Sequence, residues 1–180
     1  MSDSPRSGGS HRLFFALWPP DEVRSALADA ADRIAAFADG RRVDPAKLHL
    51  TLHFLGGWPG RPGDAVQQAG AAAASVRARA FHLVVDHAGS FPGARVGWLA
   101  PAGNSGLDAL WSDLGRALER AGLSTRGPPR FSPHVTVRRD IRARLADIPT
   151  GPISWSVDDF VLVHSHDGAY DVLARWPLAA

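Results

Sequence analysis

His49-Leu50-Thr51-Leu52 and His134-Val135-Thr136-Val137 are two copies of one pattern, His-apolar-Thr-apolar, set 85 residues apart in a chain of 180. In a strand, successive side chains point to opposite faces. Each copy therefore turns one imidazole and one hydroxyl to one side and two aliphatic groups to the other. The same alternation carries His53 onto the His49-Thr51 face, leaves Phe54 with Leu50 and Leu52 toward the core, and puts Arg138 beside His134 and Thr136. A spacing close to half the chain is what a fold of two related lobes produces when each lobe supplies one strand and the histidines meet across a cleft.

Working outward, Arg12 to Leu17 is an apolar strand closed by Pro19-Pro20. Asp21 to Ala38 has helical spacing through Val23, Leu27, Ala31, Ile34 and Ala35. Gly56 to Gly63 is a loop, and the Ala-rich stretch Asp64 to Arg79 is a second helix. Phe81 to His87 and Arg95 to Leu99 read as strands. Leu107, Leu110, Leu114, Ala117, Leu118 and Ala121 mark a third helix ending near Gly122. Residues 153–163 and 169–176 read as a closing strand pair around a turn at Asp167-Gly168. The order of Arg-led strand, helix and His-Thr strand occurs twice, over 37 residues from Arg12 to His49 and over 39 from Arg95 to His134. The predicted fold is α+β: two pseudo-symmetric lobes of antiparallel sheet backed by helices, with the cleft between them. Residues 1–10 are expected to form a flexible tail and residues 11–180 a single bilobal domain.

With 45% hydrophobic residues the chain can bury a substantial core. It has no cysteine, which excludes disulfides, thiolate metal sites and cysteine nucleophiles. No apolar run approaches the roughly 18 residues of a membrane span. The start is polar and Gly/Ser-rich, unlike a signal peptide, so a cytoplasmic protein without membrane contact is expected. Of the 20 basic residues 19 are Arg and only Lys47 is Lys. Arg can hold phosphate with paired hydrogen bonds or stack on a base, but biased coding also yields an Arg-rich chain.

Opening a cyclic phosphate needs a base to take a proton from water and an acid to protonate the departing sugar oxygen, in line across phosphorus. Two imidazoles with ordinary pKa near 6.5 supply both states near neutrality. No metal or cofactor is then required. The hydroxyls of Thr51 and Thr136 can donate to the non-bridging oxygens, and β-branching limits their χ1 choices.

The paired motifs, together with Arg12-Leu-Phe-Phe-Ala-Leu17, Leu48-His-Leu-Thr-Leu-His-Phe-Leu-Gly56, Pro133-His-Val-Thr-Val-Arg-Arg-Asp140, Tyr170 and Arg175-Trp-Pro-Leu178, resemble the two-histidine phosphoesterases. Within these the likeness is to the RNA 2′,3′-cyclic phosphodiesterases, also called the 2′-5′ RNA ligase family. The resemblance implies that His49 is the general acid toward the 3′ oxygen and His134 the general base on water, leaving a 2′-phosphomonoester on RNA or a nucleotide. It implies a nucleobase held between an aromatic residue of the first strand and an Arg after the second motif. These map onto Phe14, with Phe15 as the competitor, and Arg139, with Arg138 as the competitor. Ser165 is implied to line the cleft. 2′-5′ RNA ligation at the same site and a non-catalytic RNA-end-binding module are the alternatives, and the protein is expected to be monomeric. His53 either borders the cleft or faces solvent. His164 and His166 supply too few ligands for a metal site by themselves. His11, His82 and His87 show no partner pattern, and the basic connector Arg126 to Arg130 is either solvated or touches an RNA backbone.

Overall fold

The computed structural model describes residues 10–128 and 130–180. The expected N-terminal tail, save Ser10, and Pro129 of the basic connector lie outside these described residues. In chain order the elements are β1 (His11–Leu17), α1 (Asp21–Arg33), β2 (Arg41–Arg42), β3 (Leu50–Trp58), α2 (Gly63–Ala74), β4 (Phe81–Phe91), β5 (Val96–Pro101), α3 (Ser105–Arg120), β6 (Val135–Arg139), β7 (Ile148–Val157), β8 (Asp159–His166) and β9 (Ala169–Pro177).

The strands run in the order β7-β4-β5-β6-β3-β1-β8-β9, with β2 added to β6. Every neighbouring pair is antiparallel, and the two halves of the sheet join at a single residue pair, Leu50 with Val135. Read outward from that junction, β3-β1-β8-β9 and β6-β5-β4-β7 mirror one another, so each half contains one His-Thr strand at its inner edge. The helices cover the face opposite the cleft, and α1 packs on β6 and β7 of the other half. One hydrophobic core serves both halves, with Leu13, Phe15, Leu50 and Phe160 joined to Leu99, Leu110, Leu114, Val135 and Trp155.

The elements follow local chemistry. Asn104 caps α3, its side chain accepting from the Leu107 amide at 3.0 Å. Gly122, at φ +74°, ends that helix in the left-handed conformation glycine adopts without steric cost. The first helix is shorter than its apolar spacing predicts. It stops at Arg33 and tightens into a 3₁₀ turn at Ile34–Ala36, after which the chain is pressed onto β6. Gly40, at φ +88°, makes that approach, and a Cβ there would meet the Arg139 carbonyl oxygen at 2.4 Å. The second helix ends at Ala74 rather than Arg79. Residues 153–163 are not one strand, because the chain crosses from one half to the other at Asp158, between β7 and β8.

Candidate active site

Both histidines stand one residue before their strands, at the junction of the two halves. Leu50 pairs with Val135 in antiparallel register. Continuing that register sets His49 opposite Thr136 and Thr51 opposite His134, all on the face away from the core. The four side chains line one cavity of about 240 Å³ together with Arg12, Phe14, Phe54, Arg139, Ser165 and Tyr170. A wider groove of about 710 Å³ continues past Arg12, Lys47 and Arg139, with Arg41 and Arg42 farther along. Arg41 and Arg42 are paired with Asp140 and Asp32. Among the described residues, Arg12, Lys47 and Arg139 pair with no carboxylate, which leaves them available to an anion.

The imidazoles are held in the same way. His49 Nδ1 lies 2.7 Å from the Lys47 carbonyl oxygen and His134 Nδ1 2.7 Å from that of Ser132. A carbonyl only accepts, so each Nδ1 donates, and Nε2 is the atom left to exchange a proton. Burial pushes the His49 pKa down to about 4, partly opposed by the Lys47 carbonyl and reinforced by the Arg139 guanidinium and the His134 ring. Burial likewise lowers His134, against the Ser132 carbonyl.

Two β-bulges overturn part of what strict alternation predicts. In the β1–β3 pairing Phe14 opposes Phe54, Phe15 opposes His53 and Ala16 opposes Thr51, with a register shift between the last two pairs. The extra residue at this bulge turns His53 to the core side and brings Phe54 to the cleft side, where it packs with Phe14. His53 is thus neither solvent-facing nor on the His49 face. It is buried, stacks on Trp111 at 5.0 Å and bonds the Trp111 carbonyl through Nε2 at 2.8 Å. On β6 the shift falls between the pairs Gly97–Arg138 and Trp98–Thr136. Arg138 is turned away from the cleft and donates to the Asp39 and Gly40 carbonyls, both at 3.2 Å. Arg139 takes the place on the Thr136 side. Arg138 therefore does not line the cleft, contrary to strict alternation.

Of the two candidate rings on β1, Phe15 is fully buried in the main core, and Phe14 lies on the cleft side, stacked on His49 at 4.9 Å. Phe14 is itself only 6% exposed, so it buttresses the imidazole from behind. Trp18 stacks on His49 at 5.6 Å and Tyr170 meets it edge-on at 5.6 Å. Phe91 meets His134 edge-on at 4.9 Å. Alternation does not point to Phe54, because its place depends on the bulge. Trp18 and Phe91 lie outside the motifs and join only through the sheet. Ser165 lines both cavities. The basic connector leans over β3, its Arg126 amide donating to the Phe54 carbonyl at 2.7 Å. With Thr51 and His134 it bounds a further pocket of about 170 Å³.

Residues 19–169 match the sequence profile described as the 2′-5′ RNA ligase superfamily. The chain belongs to this family. Two curated relatives carry the name RNA 2′,3′-cyclic phosphodiesterase. One, from Thermus thermophilus, is 32% identical over 93% of this chain and 90% of its own. The other, from Escherichia coli, is 33% identical over 93% of this chain and 96% of its own. Among solved structures, E. coli LigT in complex with 3′-AMP superposes with a TM-score of 0.79 at 30% identity, covering 94% of this chain and 99% of that one. LigT with phosphate gives a TM-score of 0.74 at 31% identity over 94% and 98%. The α+β fold of this family member, antiparallel sheet covered by helices, agrees with the sequence-based expectation. No helix among the described residues is long and apolar enough to cross a membrane.

Proposed function

We propose that this protein hydrolyses 2′,3′-cyclic phosphate ends of RNA or nucleotides to 2′-phosphomonoesters, through one domain spanning residues 11–180 and without a metal at the reacting phosphate. The observation that carries the reading is the matched pair of imidazoles, each tied at Nδ1 to the carbonyl two residues before it and lining one small cavity with Thr51 and Thr136. The name shared by the two curated relatives supports the same reaction. His134 Nε2 takes a proton from water as it attacks phosphorus, and His49 Nε2 gives one to the departing 3′ oxygen. The threonine hydroxyls donate to the non-bridging oxygens, where charge gathers in the transition state.

In the free site both rings favour the neutral form at pH 7, since both pKa values lie below the ordinary one. The acid therefore has to gain its proton with the substrate. A phosphodiester carries a negative charge, and bringing it between the rings raises the pKa of the imidazole that faces the leaving oxygen. Arg139 opposes this at His49 and belongs on the side of the anion. Phe14, Tyr170 and Ser165 bound the space beside the phosphate, and Arg139 faces it as the partner for a terminal nucleotide. The same reading has the protein act as a cytoplasmic monomer.

The test is incubation with a 2′,3′-cyclic nucleotide and with a cyclic-phosphate-ended oligoribonucleotide in chelator, followed by phosphorus NMR. A 2′-monoester is expected. A 3′-monoester would reverse the assigned polarity, and wild-type protein that bound the ends without turnover would be an RNA-end-binding module. Joining of two RNA halves without hydrolysis would make ligation the activity.

A further inference from the structure

On the other face of the strands that wall the cleft, three imidazoles and a carboxylate are gathered. Leu13 on β1 pairs with His164 on β8, which pairs in turn with Asp171 on β9. The neighbouring row, Arg12, Ser165 and Tyr170, faces the cleft. Side chains alternate, so His11, His164, His166 and Asp171 share the back face. The rings stack with centroids 5.0 Å apart for His11 and His164, 5.7 Å for His11 and His166, and 4.7 Å for His164 and His166. His11 is thus not the unpartnered histidine that its sequence context predicts.

Donor atoms of His164, His166 and Asp171 converge, and His11 stands beside them against His164. His11 Nδ1 lies 2.9 Å from His164 Nε2, and His166 Nε2 lies 2.8 Å from an Asp171 carboxylate oxygen. Ligand atoms of His164, His166 and Asp171 all fall within 4.8 Å of one another, a clustering that no other three His, Asp or Glu residues share among those described. Two imidazole nitrogens 2.9 Å apart share one hydrogen, one ring donating and the other accepting.

We propose that His11, His164, His166 and Asp171 form a binding site for one divalent transition-metal ion of the zinc class, which ties β1, β8 and β9 together behind the cleft wall. Three imidazoles and one carboxylate are a nitrogen-rich set suited to zinc-like ions, while magnesium and calcium prefer oxygen ligands. Zinc–nitrogen bonds of about 2.0–2.1 Å put tetrahedral donors roughly 3.3 Å apart, so ring rotations gather His164, His166 and Asp171 on the ion, and a larger turn of the His11 ring supplies the fourth donor. On binding, the ion replaces the proton shared by His11 and His164 and the one between His166 and Asp171. It does not touch the reacting phosphate. Its effect on the cleft is indirect, because Arg12 directly follows His11, Ser165 sits between His164 and His166, and Tyr170 comes directly before Asp171.

The test uses untagged full-length protein, stripped with chelator and titrated with zinc alone by calorimetry, with cobalt absorption reporting coordination geometry. One ion per chain is expected, with tetrahedral cobalt bands and a raised Tm. His166→Gln and Asp171→Asn should each weaken zinc binding at least about tenfold while folding normally by circular dichroism. His87→Gln should leave binding unchanged; His87 sits beside Asp86 and Asp147, where an ion could bind adventitiously. Absence of zinc uptake, uptake insensitive to both cluster substitutions, or uptake lost in His87→Gln would overturn the proposal.

Discussion

His49 is flanked by Phe14 stacked at 4.9 Å, Trp18 stacked at 5.6 Å and Tyr170 edge-on at 5.6 Å, whereas among the described residues the aromatic contact of His134 is Phe91 alone, edge-on at 4.9 Å. Both rings use the same Nδ1 tether, and both strands bulge after the threonine. What each bulge delivers differs. On β3 the residue five positions after the histidine is Phe54, and on β6 it is Arg139. The backbone device is shared, while the side chains make one half apolar and desolvated and the other cationic. Pseudo-symmetry thus supplies two equivalent positions around one cavity, and the flanking residues make them chemically unequal.

The largest expected effect comes from removing either ring. His49→Ala and His134→Ala should each lower kcat by roughly 10² to 10⁴, and the double variant should fall little further if the two act as one unit. Additive losses in steady-state kinetics would show two independent contributions and break the pairing. Thr51→Ala and Thr136→Ala should cost less, about tenfold to a hundredfold in kcat/KM. A large disparity between them would mean that only one half holds the phosphate.

Arg139→Ala removes a positive charge that depresses His49, so the ring's NMR titration midpoint should rise from about 4, with the acidic limb of kcat/KM moving the same way. Arg138→Ala, its neighbour, should leave both unchanged. The sign of the wild-type profile follows from the same shifts. The proposed reaction needs one ring protonated and one neutral, and both free-enzyme values lie below 6.5, so kcat/KM should peak on the acidic side of pH 6.5. A maximum above pH 7 would show that the free rings are not desolvated as the aromatic contacts require.

A further effect is on stability. Between pH 6.5 and 4 the unfolded chain protonates His49 and the folded chain does not, so unfolding becomes easier as pH falls through that window. The contribution is on the order of 3 kcal/mol, from the shift of His49 to about 4. His49→Gln should flatten that part of the denaturant-measured stability curve, and an unchanged slope would assign it to other groups.

Much of this could be read in the chain. The repeated His-Thr pattern, the apolar alternation around it and the Pro and Gly breaks locate both inner strands and the helix of each half, because period and turn chemistry are local properties. The boundaries of α1 and the split at Asp158 could not, since they depend on where the chain meets β6 and where it changes halves. Alternation assigned His53 and Arg138 to the cleft and kept Phe54 out of it. A single inserted residue in each strand reverses these assignments, and nothing in the residues at a bulge distinguishes it from regular strand until the partner strand sets the register.

The one-dimensional pattern therefore sufficed to pick out two imidazoles and two hydroxyls in matched settings, because such a motif is a short-range arrangement along a strand. The surroundings that tune it came from residues far apart in the chain: Trp18 and Tyr170 beside His49, Arg139 as its opposing charge, and His11 stacked on His164 and His166. Burial and electrostatic coupling depend on distance in space. The antiparallel pairing of β1 with β3 and β8, and the joining of the halves at Leu50 and Val135, created those distances.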